Sequence, residues 1–237
     1  MLYSLEAVRA NIRNREGRRV FYLNKGDQLT IDARDFLNRE RIEILPAEQA
    51  KPQRWKLLGG GYMEEKPEHM THLNGDTLVP KTHPRIAFRG AMDTLEAELL
   101  LCQAQIPACR KELGEILELA RQLLRCEVLE EAVANTGLCG LTEQELRRRS
   151  HFPQEYYGQP HFMPQATDSM EILRLNRLRC AVRAAELKAQ HALSHRQDIL
   201  QAMNRMSSMV YLLMIREKAA LSNGQLPNCP TNGNLTR

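Results

Sequence analysis

The sequence lacks any apolar run of the roughly 18 residues that a membrane-spanning helix needs. Its N-terminus also lacks the charged-then-apolar order of a secretion signal. The six cysteines include no CxxC pair and do not cluster, so they give no sign of a redox or zinc motif. Together these absences predict a cytoplasmic protein without a membrane partner, whose cysteines are buried free thiols.

Aromatic residues are scarce, at 5% of the chain, and neither sign of charge dominates. The 33 Lys and Arg residues are interspersed with 29 Asp and Glu residues, which leaves a formal net charge of +4. A nucleic-acid-binding domain would gather its basic residues on one face and offer aromatic rings for stacking. We therefore expect no nucleic-acid partner, and the mild basic excess suits an anionic small molecule.

The chain has 237 residues, 43% of them hydrophobic, which is enough for one large domain with a small appendage. Residues 1–50 predict a small α/β segment, because residues 19–23 and 42–45 are β-prone and Thr30 can cap a helix between them. Residues 51–82 are rich in Pro, Gly, Lys and Glu and predict a loop. Residues 222–237 predict a disordered tail.

Residues 83–221 show helical periodicity, and we predict a mainly α fold built on a five-helix up-and-down bundle. The predicted helices cover about 87–105, 107–135, 142–149, 168 onward and 194–221, with an aromatic-bearing loop over 151–167. Capping pairs mark the starts of the last three helices: Thr142 with Glu145, Asp168 with Glu171, and Ser194 with Gln197.

The fourth predicted helix carries a polar stripe of Arg179, Arg183 and Glu186, spaced by four and then three residues. At about 100° per residue these side chains fall within roughly 60° of arc, opposite an apolar face. The stripe is either a solvated face with weak Arg–Glu pairs or one wall of a polar site.

The fifth predicted helix carries a second stripe of Asn204, Ser208 and Tyr211 within a run that is otherwise strongly apolar. A helix that is apolar nearly all round is usually buried, so these polar groups and the adjacent Arg205 need partners. Two such stripes indicate a polar site between helices or subunits, or else a small buried hydrogen-bond network.

Three further charged residues precede or enter the first predicted helix. Lys81 and Arg85 flank Pro84 at its entrance, where cations and backbone N–H groups could hold phosphates, although the sequence has no GxxxxGK[ST] motif. Asp93 lies two turns into this helix on an otherwise apolar stretch, and its spacing alone is that of a surface residue or a partner for a basic side chain.

The chain resembles the cobalamin adenosyltransferases of ethanolamine utilisation and, in its helical core, the broader propanediol-utilisation type. The resemblance covers about residues 69–218 and rests on three segments in the same order: THLNGDTLVPKTHPRIAFRGAMDTLEAELLL, LRLNRLRCAVRAAEL and DILQAMNRMSSMVYLLMI. It implies a homo-oligomer, commonly a trimer, with active sites between subunits. It also implies transfer of the 5′-deoxyadenosyl group of ATP, with Mg²⁺, to reduced cobalamin.

The resemblance implies roles for individual residues. Lys81 stands at the phosphate-contacting lysine, and Asp93 at the aspartate that pairs with an arginine of the neighbouring subunit, matched here by Arg183. The remaining matches are nucleotide-side polar positions, namely Arg179, Glu186, Asn204 and Arg205. An apolar residue of the aromatic loop, for which we choose Phe162, would displace the lower axial ligand of cobalt.

Several positions depart from the family pattern. The glycine- and threonine-rich nucleotide loop is poorly reproduced over residues 71–77, and Ala184 and Leu187 stand where further arginines occur. No cysteine precedes the THL segment, so we expect no transition-metal cluster there. The alternative function is therefore a non-catalytic corrinoid-binding or microcompartment interaction protein. An active enzyme would serve a B12-dependent lyase such as ethanolamine ammonia-lyase, with a reductase as a further partner, in the cytoplasm or inside a bacterial microcompartment.

Overall fold

The computed structural model describes residues 1–15, 17–49, 54–134, 136–222 and 224, and the chain forms two compact units, 1–67 and 68–237. Unit one contains the strands β1 (Leu2–Tyr3), β2 (Arg13–Arg15), β3 (Arg18–Leu23), β4 (Gln28–Leu29), β5 (Glu43–Pro46), β6 (Trp55–Leu57) and β7 (Tyr62–Met63), the helices α1 (Leu5–Ala10) and α2 (Ile31–Arg39), and a 3₁₀ turn over Ala47–Gln49. Unit two contains β8 (Met70–Asn74), β9 (Thr77–Pro80), α3 (Pro84–Gln105), a 3₁₀ turn over Pro107–Cys109, α4 (Arg110–Leu129), α5 (Glu143–His151), α6 (Pro153–Tyr157), α7 (Met170–Ala192) and α8 (Gln197–Ser222).

Unit one contains the α/β segment predicted over residues 1–50 and extends to Pro67. β3 and β5 pair in parallel, with Val20 opposite Glu43, and α2 makes the crossover between them. Thr30 caps α2, since its hydroxyl accepts the backbone N–H of Ala33 at 3.3 Å. Ala33, Phe36 and Leu37 of α2 are buried in a small core with Phe21.

Unit two is a helical bundle in which α7 packs against both α3 and α8, while α4 packs against α3 and α5 against α8. Residues at helical spacing on α3 illustrate its core: Phe88, Met92, Leu95 and Leu99 are all fully buried. The mainly α fold with an N-terminal α/β segment is thus confirmed. Five of the six α-helices in the described part of this unit have nine or more residues, and α6, with five, was not predicted.

Four strands lie where the sequence predicts a loop. β6 and β7 pair in antiparallel fashion in unit one, and β8 and β9 do so in unit two. The β8–β9 turn contains Gly75 at φ 48°, a left-handed conformation that glycine adopts without steric cost. Leu73 and Val79 of this hairpin are buried, which gives the short strands an apolar side.

Two helix boundaries differ from the prediction for reasons of tertiary contact. α4 ends at Leu129 rather than near residue 135, because Glu130 is left-handed at φ 58° and its carboxylate receives Arg85 at 3.3 Å. α7 is capped by Ser169 rather than Asp168, since Asp168 instead accepts from Lys218 at 2.5 Å.

Of the other two predicted helix starts, one is confirmed and one is wrong. The Thr142 and Glu145 capping box at α5 is confirmed, with both reciprocal hydrogen bonds present. The Ser194 and Gln197 box is wrong, because Gln197 is already the first residue of α8 and its side-chain amide donates to the Ser194 carbonyl at 2.9 Å. The predicted disordered tail begins at Ser222, the last residue of α8, and otherwise falls almost entirely outside the described residues.

No helix in the described ranges is both long and apolar enough to cross a bilayer.

His83 makes the start of α3 sensitive to pH. Its Nδ1 accepts the backbone N–H of Arg85 at 3.2 Å, which requires a neutral ring, and burial, followed by the charges of Arg85 and Arg89, lowers the pKa of His83 below its ordinary 6.5. A depressed pKa adds stability above about pH 6.5, and this contribution is lost as the pH falls through the lowered value. We expect His83→Asn, which keeps a capping side chain, to lose less unfolding free energy than the wild type between about pH 7.5 and 5.5. Chemical denaturation at both pH values measures this, and equal losses in the two proteins would contradict it.

Candidate functional site

A cavity of about 900 Å³ lies where α7 and α8 meet the end of α5 and the loop that precedes α7. From α7 and α8 it is lined by Arg179, Arg183, Glu186, Leu187, Gln190, Asn204, Ser207, Ser208 and Tyr211. Both predicted polar stripes therefore face one space. The opposite side of α7 carries Ile172, Leu175, Val182 and Ala185, all fully buried in the core, which fixes the direction in which the polar stripe points.

Arg179 places an unpaired N–H donor at this cavity, and Arg205 has a second one next to the cavity-lining Asn204. The Nε atoms of Arg179 and Arg205 are buried, and neither has a hydrogen-bond partner among the described residues. The guanidinium of Arg179 lies over the ring of Tyr211, 5.0 Å from its centroid. Leaving a buried charged donor unsatisfied costs about 1–3 kcal/mol or more, so an anion in the cavity that accepts the Nε–H of Arg179 would bind favourably.

Arg205 is further held by its neighbour on α8. It donates to the side-chain oxygen of Asn204, and burial, followed by the nearby charge of Arg147, lowers the pKa of its guanidinium. Arg205 does not itself line the cavity but supports Asn204, which does. This pair joins a half-buried guanidinium to an exposed amide at the cavity wall.

Glu186 is the carboxylate at this site. It is half-buried on α7, and its Oε1 accepts the side-chain amide of Asn204 on α8 at 3.4 Å. Its second oxygen could serve a cation that also binds phosphates, which is how Mg²⁺ usually binds in nucleotide sites. The donor set of one carboxylate and one amide therefore fits a magnesium ion that arrives with a nucleotide.

The loop before α7 closes one side of the cavity with both apolar and polar groups. Phe162 is half-buried and packs on the bundle core, and Met163 is 80% exposed. His161 hydrogen-bonds the hydroxyl of Tyr211 through Nδ1 at 2.7 Å. Burial raises the pKa of Tyr211, against the effects of a hydrogen bond from the Phe162 backbone and the charge of Arg179. His161 was not among the predicted site residues, and its only signal in the sequence is its position beside Phe162 in the aromatic loop.

A family model described as cobalamin adenosyltransferase matches residues 61–217, well over half of the chain. The chain belongs to the cobalamin adenosyltransferase family. The corrinoid adenosyltransferase EutT of Salmonella typhimurium strain LT2 is 33% identical over 204 residues, which cover 83% of this chain and 76% of that protein. The protein of the same name from Escherichia coli K12 is 33% identical over 158 residues, covering 64% of this chain and 59% of that protein. The expected family is thus confirmed.

Solved structures share the fold of this cobalamin adenosyltransferase family member. Two variants of the PduO-type ATP:corrinoid adenosyltransferase from Lactobacillus reuteri, each complexed with cobalamin and ATP, match with TM-scores of 0.52 and 0.51 at 18% identity. The matches cover 66% and 70% of this chain and 89% and 96% of the two solved chains. At this identity the likeness establishes a common architecture.

Two residues expected at the site of a cobalamin adenosyltransferase lie elsewhere on the subunit. Lys81 is exposed in the turn between β9 and α3, and its backbone N–H donates to the His69 carbonyl at 2.9 Å. Asp93 is exposed on α3. Neither residue lines the cavity, so a single chain brings together five of the eight expected residues, with Arg205 immediately behind them.

Metal ligands do not gather in the part of the chain that the structure describes: it contains no group of three or more His, Cys, Asp or Glu side chains able to hold a metal ion. The absence of a transition-metal cluster remains a prediction for this cobalamin adenosyltransferase family member.

Proposed function

We propose that this protein transfers the 5′-deoxyadenosyl group of ATP to the cobalt of cob(I)alamin. The observation that carries the proposal is the buried, unpartnered Nε donor of Arg179 at a cavity wide enough for a nucleotide and part of a corrinoid, with Asn204 held at the cavity wall by Arg205. The Salmonella typhimurium relative named corrinoid adenosyltransferase supports the same chemistry, with a match over 83% of the chain.

In this reaction the protein must position the two substrates and neutralise the negative charge of the triphosphate. Cobalt(I) attacks the 5′-carbon of ATP, a Co–C bond forms, the C–O bond breaks, and the electron pair leaves with the triphosphate. Cob(I)alamin is itself a strong nucleophile, so the reaction needs no side chain to remove a proton. Arg179 and Arg183 would instead stabilise the negative charge that develops on the leaving phosphates.

Glu186 and Asn204 would orient the nucleotide or its metal ion. The amide N–H of Asn204 donates to Oε1 of Glu186 at 3.4 Å, which leaves the second carboxylate oxygen of Glu186 for a ligand. The amide oxygen of Asn204 accepts from Arg205. Mg²⁺ bound to the triphosphate would supply further charge neutralisation, with Glu186 as its protein ligand.

The apolar side of the cavity suits the corrinoid ring. Phe162, Met163 and Leu187 offer apolar surface there, and Leu187 is 70% exposed. We assign to Phe162 the displacement of the lower axial ligand of cobalt, which makes cob(II)alamin easier to reduce. Leu187, which departs from the family pattern, adds apolar contact rather than a further cation.

The complete site would require a second copy of the chain. Lys81 and Asp93 lie outside the cavity, and α3 also exposes Leu100 and Leu101 at 47% and 52%. A homo-oligomer, with a trimer as our choice, would cover these leucines and bring Asp93 to Arg183 of a neighbour and Lys81 to the phosphates. The product would serve a B12-dependent lyase, with a reductase supplying cob(I)alamin, in the cytoplasm or inside a microcompartment.

A turnover assay tests the function. The protein is mixed with ATP, Mg²⁺ and chemically reduced cobalamin, and the absorbance change of adenosylcobalamin formation is followed. We expect catalytic turnover that requires both ATP and protein. Corrinoid binding without turnover would contradict the proposal and favour the alternative, a corrinoid-binding or microcompartment interaction protein.

A further inference from the structure

We propose that Tyr211 is a positioning residue: together with His161 and Lys218 it fixes the loop between α6 and α7 so that Phe162 meets the corrinoid in one orientation. The inference rests on the proposed function, because it concerns the state of cobalt before adenosyl transfer. None of the three residues is needed to bind ATP in that mechanism.

The hydrogen bonds of His161 define its tautomer. Its Nε2 lies 3.1 Å from the carbonyl oxygen of His151, and a carbonyl only accepts, so Nε2 carries the hydrogen. In the neutral ring Nδ1 is then an acceptor, and the Tyr211 hydroxyl donates to it at 2.7 Å. The two rings also stack, with an interplanar angle of 12° and centroids 5.8 Å apart. Through this chain the start of the loop is tied to the end of α5 and to α8.

A second anchor lies two turns further along α8. Lys218 pairs with Asp168 at 2.5 Å, and Asp168 also accepts the backbone N–H of Gln165 at 2.7 Å. The ammonium of Lys218 lies over the ring of Phe162, 5.6 Å from its centroid. Tyr211 and Lys218 are seven residues apart, and about 20° separates them around the helix axis, so one face of α8 holds both ends of the loop.

These contacts leave Phe162 between two fixed points on one helix. Its side chain is half-buried against the core, and its backbone lies next to the Tyr211 hydroxyl. An apolar group displaces an axial ligand only from the position that the ligand would occupy, so a shift of about 1 Å in that group weakens the effect. The hydroxyl of Tyr211 therefore acts on the cobalt through His161 and Phe162 without touching the substrate.

Tyr211→Phe isolates this effect, because it removes the hydroxyl and leaves the ring beneath Arg179. We expect the ratio of four-coordinate to five-coordinate cob(II)alamin, measured by absorption and electron paramagnetic resonance with ATP present, to fall about fivefold, the factor that loss of one neutral hydrogen bond produces. Turnover from cob(II)alamin with a reductant should fall with it, whereas KM for ATP and turnover from pre-reduced cob(I)alamin should change little. Tyr156→Phe is the matched control, since Tyr156 lies on α6 and does not line the cavity.

The second anchor provides an independent variant if Tyr211→Phe folds poorly. Lys218→Met should lower the same spectroscopic ratio, whereas Lys218→Arg, which keeps the positive charge, should keep the ratio near that of the wild type. Unchanged ratios in Tyr211→Phe and Lys218→Met, in a wild type that makes adenosylcobalamin, would overturn the positioning role and leave the proposed function standing. A wild type that makes no adenosylcobalamin would overturn both.

Discussion

Arg179→Met lowers the rate of adenosylcobalamin formation by about 10- to 150-fold, because a charge-assisted hydrogen bond contributes roughly 1.5–3 kcal/mol and about 1.4 kcal/mol is a factor of ten in rate. Its Nε is buried at the cavity with no partner among the described residues, so the donor is available to a phosphate oxygen. The loss should fall mainly on kcat with saturating ATP and pre-reduced cobalamin, since the negative charge grows as the triphosphate leaves. Steady-state kinetics under these conditions give the measurement.

Arg177→Met is the control for removing a cation from the same helix. The side chain of Arg177 is 73% exposed and pairs with Glu98 at 2.6 Å, away from the cavity lining. We expect its kinetic constants to stay close to those of the wild type. Equal activity of Arg179→Met and wild type, or equal losses in both variants, would remove Arg179 from the site.

Glu127→Gln destabilises the helical unit by about 3–5 kcal/mol, the usual effect of removing one partner from a buried ion pair. Glu127 is fully buried on α4, and its carboxylate accepts hydrogen bonds from two arginines at the start of α3. Arg85 donates to its Oε1 and to its backbone carbonyl, the latter at 2.8 Å, and Arg89 donates to Oε2 at 2.7 Å. Both arginines are largely buried, with side chains 17% and 18% exposed. Water can therefore solvate their guanidinium groups only in part once the carboxylate is gone. Denaturant unfolding followed by the helical circular dichroism signal measures the change.

Glu118→Gln is the matched control on α4. Glu118 is 74% exposed and pairs with Arg121 at 3.2 Å, an arrangement that contributes at most about 1 kcal/mol. If both variants unfolded at the same denaturant concentration, Glu127 would not hold α3 to α4.

The features that the sequence predicted well are those set by local spacing. Helical periodicity alone places Arg179, Arg183 and Glu186 on one face of α7, opposite the buried Val182, and the structure turns that face to the cavity. The same holds for the polar stripe of α8. The Thr142 capping box was also predictable, because its hydrogen bonds join residues only three apart.

The errors arose where distant residues decide the outcome. Asp168 is a residue type that often caps helices, but its carboxylate instead accepts a hydrogen bond from Lys218, fifty positions later. Arg85, more than forty residues earlier, reaches Glu130 at the end of α4. His161 gave no periodic signal, because its partners are Tyr211 and a backbone carbonyl at the end of α5. Such contacts exist only after the helices have packed.

The resemblance to the family contributed what spacing could not. Without it, the two stripes indicate only an anion site between helices, and Lys81 and Asp93 carry no distinct meaning. Their place outside the cavity of one chain leaves their roles as predictions that an oligomer would fulfil.

The central claim is that the adenosyl carbon of ATP becomes bonded to cobalt at this protein. It is tested most directly in a single turnover with ATP labelled with ¹³C at the 5′-carbon, excess protein and pre-reduced cobalamin, followed by nuclear magnetic resonance of the products. We expect the label in the cobalt-bound methylene of adenosylcobalamin, with formation slowed in Arg179→Met. Label that stays in unreacted or hydrolysed nucleotide, while the corrinoid remains unalkylated, would contradict the account.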